Sequence, residues 1–304
     1  MKITTKKIFL LLLLATSTFL SKAQVTAGFN IVYSNPNCAP AVVTFQNTST
    51  GSGLTYQWNF GVATGVNSTL TNPLTTYLTC GTYTVSLTAT NSSNQTNTIT
   101  HQVTINCAPV ASFSVNVTAG CNPLTVQFTN TSNPGTGTIS SCLWDFGDGT
   151  QSSTINPIHV YTTSGCKTVT LIVTNSNGCV ADTTMSNIVC VTLPPIASFT
   201  SLPNPATACA APLTVHFTQT ATAGTPPYSY HWILAGGTPS WSNLANPTSV
   251  FNTPGYHSVT LVVTDANGCQ DTVTIPNYVF IGNYNSNFTV TADTGCVPFN
   301  ISAS

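Results

Sequence analysis

The sequence predicts an all-β fold that consists of several β-sandwich domains in tandem. Thr, Val and aromatic residues alternate in short runs between clusters of Gly, Pro and Asn, a pattern that is typical of strands and turns. The chain also repeats itself, since Trp58, Trp144 and Trp232 are 86 and 88 residues apart. A period of this length is too long for a solenoid unit and suits an independently folding sandwich.

The repeat sets the expected domain boundaries. Two motifs recur in register, an Asn-Pro pair and a Cys followed closely by Pro, and they begin at Asn72, Asn156 and Asn246 and at Cys38, Cys121, Cys209 and Cys296. We therefore expect domains at residues 25–108, 110–193 and 196–282, and the start of an incomplete fourth repeat at residues 284–304. Because the joints are short and rich in Pro, we expect a semi-stiff rod that is the N-terminal piece of a longer array.

The first 23 residues have the features of a secretory signal peptide. A basic start is followed by a short apolar core, and Ser21 and Ala23 place small residues at the −3 and −1 positions of a cut before Gln24. The apolar core is too short for a membrane span, and no other stretch of the sequence suits one. We expect a secreted or cell-surface protein without membrane insertion.

Charge excludes several classes of partner. Four of the five Lys and Arg residues lie in the signal peptide, so the mature chain keeps Lys167 as its only basic residue against six Asp. A surface with one cation cannot neutralise phosphates, which argues against nucleic acid and anionic lipid as partners. The five His residues fall at different strand positions and form no catalytic arrangement with Ser, Cys or Asp. We expect no enzyme activity and no cofactor.

One stretch of the second repeat is close to a known signature. It reads Trp-Asp-Phe-Gly-Asp-Gly from Trp144, then Asn-Pro-Ile-His-Val-Tyr from Asn156, then Gly165 ahead of alternating Val and Leu. It resembles the core of a PKD (polycystic kidney disease) domain, an immunoglobulin-like β-sandwich, and Lys167 replaces only the last Tyr of the signature. The other repeats match more loosely, with Trp-Asn-Phe-Gly-Val and Trp-Ile-Leu-Ala-Gly. The resemblance implies tandem PKD-type sandwiches.

Asp145 and Asp148 form the only close carboxylate pair. As a functional site they would be calcium ligands, but calcium prefers six to eight oxygens, and the matching positions in the other repeats are not acidic. The alternative that we favour makes Asp148 a turn residue bonded to its own backbone and places Asp145 on a solvated face, so that no metal is bound. His159, the His of the family motif, is expected to hydrogen-bond within its own sandwich.

Two aromatic residues of the third repeat are candidates for ligand binding. Tyr228 and Trp241 lie in loop-like contexts, where an aromatic face could stack on a sugar ring with little loss of entropy. For Trp241 we favour the alternative of packing within the domain. Other proteins and surface glycans are the expected partners, besides the neighbouring PKD-like domains.

The sandwich topology that the resemblance implies predicts the disulfides. Cys121 and Cys179 should lie a strand length apart, about 20 Å, within one domain, whereas a disulfide tolerates about 7 Å between Cα atoms. Successive domains bring such cysteines together across a joint. The expected pairs are Cys38–Cys179, Cys121–Cys269, Cys80–Cys107 and Cys166–Cys190. Cys142 is expected to be a buried thiol, and Cys209 to pair with a fourth domain.

The cysteine motifs and the signal peptide ending Lys-Ala-Gln also resemble those of large surface adhesins of gliding bacteria exported by the type IX secretion system. This resemblance implies a non-catalytic adhesion or structural rod at the cell surface. Two alternatives remain open. The chain could be the accessory array of a secreted hydrolase, or a subunit of an extracellular filament whose sandwiches pair through edge strands.

Overall fold

A computed structural model describes residues 24–34, 36–62 and 67–283. The described residues form strands and turns without a helix, which confirms the predicted all-β, immunoglobulin-like class. They divide into two compact units, one from the residues up to Ala108 together with Asn177–Cys179, the other from Pro109–Ser176 and from Val180 onward. The expectations for the signal peptide, for residues 284–304 and for Cys296 lie outside the described residues.

The first repeat is a sandwich of a three-stranded and a four-stranded sheet, with strand orders β1-β2-β5 and β4-β3-β6-β7. Its strands are β1 (Phe29–Tyr33), β2 (Ala41–Asn47), β3 (Thr55–Asn59), β4 (Asn67–Ser68), β5 (Leu74–Tyr77), β6 (Gly81–Thr90) and β7 (Thr96–Ile105).

The second repeat has the same plan with sheets β13-β10-β8 and β12-β11-β14-β15-β9. Its strands are β8 (Phe113–Val115), β9 (Ala119–Cys121), β10 (Leu124–Asn130), β11 (Ile139–Asp145), β12 (Gln151–Ser152), β13 (Ile158–Tyr161), β14 (Gly165–Asn175) and β15 (Val180–Thr192).

The third repeat adds short strands to this plan, in sheets β17-β19-β24-β22, β18-β26-β25-β21-β23 and β16-β20. Its strands are β16 (Pro195–Ile196), β17 (Phe199–Leu202), β18 (Ala206–Ala208), β19 (Leu213–Gln219), β20 (Thr222–Ala223), β21 (Ser229–Leu234), β22 (Gly237–Thr238), β23 (Trp241–Ser242), β24 (Thr248–Phe251), β25 (Gly255–Thr264) and β26 (Gln270–Ile281).

A fully buried Trp lies at the centre of each core. Trp58, Trp144 and Trp232 are each 0% exposed. The Phe that begins β1, β8 or β17 contacts the indole of its repeat edge-on, with ring centroids 5.1 to 5.2 Å apart. Edge-to-face pairs of this kind add about 0.5–1.5 kcal/mol each beyond the burial of apolar area. The alternation along the strands therefore builds three separate cores around the Trp residues that mark the repeat.

The recurring Asn-Pro pair bonds to an inner strand of a sheet in each sandwich. In the second repeat, the side-chain carbonyl of Asn156 accepts a hydrogen bond from the backbone N–H of Asn130, and the carbonyl of Pro157 accepts one from Phe128. The same two bonds occur in the first and third repeats. Because they satisfy backbone donors of a core strand, the motif is structural.

Four disulfides join cysteines of the described residues, and they are the pairs that the sequence predicts: Cys38–Cys179, Cys80–Cys107, Cys121–Cys269 and Cys166–Cys190. Cys142 is a buried free thiol whose pKa is raised by burial. The pairing expected for Cys209 concerns residues outside the described part of the chain and stays a prediction.

Candidate functional sites

The turn after β11 engages both carboxylates that sequence analysis considered as calcium ligands. Oδ1 of Asp145 accepts a hydrogen bond from the backbone N–H of Gly147 at 2.9 Å. Oδ1 of Asp148 accepts two from Thr150, from its backbone N–H at 3.1 Å and from its hydroxyl at 2.6 Å. Asp145 is exposed and Asp148 is mostly buried, so the two carboxylates serve the turn in different surroundings.

His159 fixes the other side of the Asp148 carboxylate. Its Nε2 lies 2.7 Å from Oδ2 of Asp148, and the two side chains are only 14% and 12% exposed. The imidazole stacks flat on Phe146, with ring centroids 4.2 Å apart, and meets Tyr161 edge-on at 4.5 Å. The hydrogen bond of His159 is thus made within its own sandwich, as expected from the sequence.

The electrostatics of the turn favour an ionised Asp148. Burial alone would raise the pKa of Asp148, but the hydrogen bonds from Thr150 and His159 outweigh it and hold that pKa below its ordinary value. Within the described ranges no three His, Cys, Asp or Glu side chains are grouped in a way that could hold a metal ion. The geometry therefore matches a turn stabilised by its own residues.

A second buried carboxylate, which sequence analysis did not single out, closes the turn between β25 and β26. Asp265 is 5% exposed and accepts hydrogen bonds from the backbone N–H groups of Thr225, Asn267 and Cys269, each at 2.9 Å. Burial acts to raise its pKa, and these three bonds outweigh it and lower the pKa below its ordinary value. Asn91 and Asn175 take this position in the other repeats. The recurrence of a short polar side chain there is the sequence pattern that could have identified Asp265.

The cysteines of the Asn-Gly-Cys turns join residues of the preceding repeat. Cys179 and Cys269 are both 1% exposed, and their disulfides close loops of 141 and 148 residues. Cys121 ends strand β9, which pairs in parallel with β15, and its register partner Thr192 places Oγ1 3.1 Å from the Cys269 sulfur. The pairing of β9 with β15 therefore places Cys121 beside Thr192, and Cys269 contacts both residues.

The two aromatic ligand candidates differ in their surroundings. Tyr228 is half-buried, packs against the third core and donates its hydroxyl to the carbonyl of Ala223. Trp241 is 59% exposed on the short edge strand β23, opposite Ile233. The packing favoured for Trp241 from the sequence is thus wrong, because β23 turns the indole to the outer face of the sheet.

No helix within the described ranges is long and apolar enough to cross a membrane.

Comparison with known proteins gives a family match along nearly the whole described chain. A family model described as "PKD domain" matches residues 24–107, 106–190 and 193–281, which agrees with the resemblance seen in the second repeat. The chain is 33% identical over 179 residues to the pre-pro-metalloprotease PrtV of Vibrio cholerae, covering 57% of this chain and 18% of that protein. It is 52% identical over 42 residues to collagenase ColQ1 of Bacillus cereus, covering 14% of this chain and 4% of the collagenase.

Among solved structures, the PKD1 domain of Vibrio anguillarum Epp is 37% identical, and the match covers 29% of this chain and 99% of that one with a TM-score of 0.26. The chain spans less than a fifth of the length of PrtV and of collagenase ColQ1.

Proposed function

This chain belongs to the PKD domain family, and from that premise we propose that it is a non-catalytic segment of an extracellular adhesin that bears mechanical tension. The observation that carries the proposal is the pair of long-range disulfides, Cys38–Cys179 and Cys121–Cys269, which join residues of successive repeats. Disulfides of this kind persist in oxidising compartments, which agrees with export through a signal peptide. The resemblance of the cysteine motifs and the signal peptide to those of type IX-exported adhesins of gliding bacteria supports a place at the cell surface.

The two disulfides limit how far the chain can lengthen under tension. When a sandwich unfolds under force, its residues extend by about 3.3–3.6 Å each unless a covalent link bypasses them. The loops of 141 and 148 residues overlap, so the shortest covalent path from residue 24 to residue 283 passes through both links. That path contains about a third of the residues in between, so most of the array cannot be drawn out.

Single-molecule force spectroscopy with handles at residues 24 and 283 tests this role. We expect the oxidised array to reach about a third of the contour length of the reduced array. Replacing Cys38, Cys179, Cys121 and Cys269 by Ser should restore most of the reduced length.

The matched control replaces the short-range pairs, Cys80–Cys107 and Cys166–Cys190, which close loops of only 27 and 24 residues. This variant should keep the short oxidised length. Cys80–Cys107 lies off the shortest path, and the route through Cys166–Cys190 is about as long as the direct stretch between Cys121 and Cys179. Equal extension of the oxidised and reduced arrays would refute the proposed role in bearing tension.

A second candidate function is favoured by the relatives, which are a metalloprotease and a collagenase by name. In that case the array would be the accessory part of a secreted hydrolase. The genomic sequence that follows Ser304 separates the two proposals. A catalytic motif there would favour the hydrolase, and further repeats with a C-terminal sorting domain would favour the adhesin.

A further inference from the structure

The third repeat differs from the first two at one corner of its outer sheet face. The outward pair that follows the buried Trp is Asn59 with Asn67 in the first repeat and Asp145 with Gln151 in the second. In the third repeat it is Ile233 with Trp241. Two hydrogen-bonding side chains are thus replaced by an aliphatic and an aromatic one at a position that faces solvent.

This apolar corner is exposed and lies on paired strands. Trp241 is 59% exposed and Ile233 is 46% exposed, so neither gains the full benefit of burial. A row of cross-strand neighbours continues from them through Thr260 to Thr274. The row lies on the paired strands β23, β21, β25 and β26, which hold the indole on an open face of the sheet. We call this row, from Trp241 to Thr274, the platform.

Polar groups without formal charge surround the platform. Nδ1 of His231 lies 2.9 Å from Oδ1 of Asn243, and the imidazole ring centroid is 6.3 Å from that of Trp241. A proton on Nδ1 completes this bond and leaves Nε2 of His231 and the amide N–H of Asn243 for a ligand. The hydroxyls of Thr260 and Thr274 bond each other at 2.9 Å and can also accept or donate. No Asp, Glu, Lys or Arg occupies this row.

We propose that Trp241 is the centre of a binding site for a neutral polysaccharide, a further step that rests on the proposed adhesin function. The C–H face of a pyranose ring is apolar and matches an indole in size, while ring hydroxyls suit the side chains of His231, Asn243 and Thr260. The absence of charged residues in the row fits a ligand without charge.

The size of the apolar area also favours a sugar over a protein. A Trp and an Ile together offer at most a few hundred Å², whereas a specific protein interface buries at least about 1,000 Å². One or two sugar rings cover an area of the smaller size. Tyr228 lies outside this row and packs against the core of the third repeat, so it is not part of the proposed site.

Tryptophan fluorescence of the exported, oxidised chain provides a direct test. Of the four Trp residues, Trp58, Trp144 and Trp232 are fully buried, so acrylamide should quench Trp241 selectively. Hydroxyethylcellulose, xylan and galactomannan are the neutral probes, with carboxymethylcellulose as the acidic comparison. We expect at least one neutral polymer to protect Trp241 from quenching, and carboxymethylcellulose to protect less than hydroxyethylcellulose does.

Affinity electrophoresis with the protective polymer supplies the mutational test. Trp241→Ala should weaken retardation at least tenfold. Tyr256→Ala is the matched control, because Tyr256 is an aromatic residue of the same domain that is 65% exposed and lies outside the row, and it should change nothing.

Equal retardation of the Trp241→Ala variant and the parent would overturn the proposal, as would protection by none of the neutral polymers. Protection by gelatin in their place would assign the platform to a protein partner and would also overturn it. A negative result in these assays leaves the force measurements on the disulfide-linked array unaffected, so the two proposals can fail separately.

Discussion

The carboxylate of Asp148 shows how one residue links the second sandwich to pH. Its hydrogen bonds from Thr150 and His159 lower its pKa in the folded state relative to the unfolded chain. A lowered folded pKa contributes stability that is fully present above the unfolded value, about 3.9 for Asp, and is lost as pH falls through the folded value. The loss of stability at acid pH therefore measures how much this turn contributes to the stability of the second domain.

We predict that the melting temperature of the second domain, followed in the whole chain, falls as pH is lowered from about 4.5 to 2.5. The variant Asp148→Asn should have a lower melting temperature at neutral pH and a shallower fall in acid, since it has no carboxylate to protonate. Asp145→Asn is the control, because Asp145 is exposed. An acid fall that is equally steep in Asp148→Asn and in the parent would contradict this role for the carboxylate.

At the residue scale, the sequence motif predicted that His159 forms a hydrogen bond within its own sandwich, but it did not predict which residue is the partner. The Asn-Pro-x-His pattern suggested a bond within the sandwich, and the bond to Asp148 depends on the exact path of the turn after β11. Trp241 was harder still, because nothing in its local sequence specifies which face of a two-residue strand it occupies. Short edge strands carry too few residues for an alternation to be read.

At the element scale, two glycines of the turn after β11 differ in how strictly they are required. Gly147 has no room for a Cβ, whereas Gly149 is favoured only by its backbone conformation. Gly147 has a φ of +74°, and a Cβ added there would lie 2.2 Å from the backbone oxygen of Thr168. Gly149 also has a positive φ, +90°, but its Cβ would meet nothing within 4 Å. The left-handed backbone alone costs an L-residue about 1–2 kcal/mol.

We predict that Gly147→Ala lowers the free energy of unfolding of the second domain by about 2–4 kcal/mol, because backbone strain and overpacking add. Gly149→Ala should cost only about 1–2 kcal/mol, since it carries the strain without the clash. Urea unfolding followed by near-UV circular dichroism measures both. Equal losses for the two variants would show that the close approach of Thr168 has no energetic weight.

The long strands were predictable because each carries its own alternation. Lys167 to Thr174 alternates between the core and the outer face, and Val169 and Leu171 are 0% exposed in β14. The additional strands of the third repeat were not predictable. Strands β20 and β22 have two residues each, and their pairing with Pro195–Ile196 and with Thr248–Phe251 depends on the tertiary path of the chain.

At the scale of the whole molecule, the disulfide pattern could be predicted because it follows from sandwich topology. Cysteines at opposite ends of one sandwich are too far apart to bond, so the Asn-Gly-Cys cysteines have to pair outside their own domain. The first repeat has Asn91-Ser92 in place of this motif, so it has no cysteine at this turn to pair in the same way. The polysaccharide platform had no comparable constraint, because outer faces tolerate many residues.

At this scale, the described part of the chain also has few attractive charge pairs. The ammonium group of Lys167 bonds the hydroxyl of Thr163 and the carbonyl of Ser164, not a carboxylate. Throughout the described ranges the one ion pair is that of Asp148 with His159, and it requires a protonated imidazole. Salt weakens the attraction between exposed charges. Because the described residues have almost no such attraction, added salt should hardly change their stability.

We therefore predict that the melting temperature at pH 8 changes by less than about 2 °C between 20 and 500 mM sodium chloride. The variant Lys167→Gln should behave like the parent, because Lys167 forms no ion pair with any residue that the structure describes. A fall of more than about 5 °C in high salt would contradict the prediction and would indicate a bound ion that salt displaces.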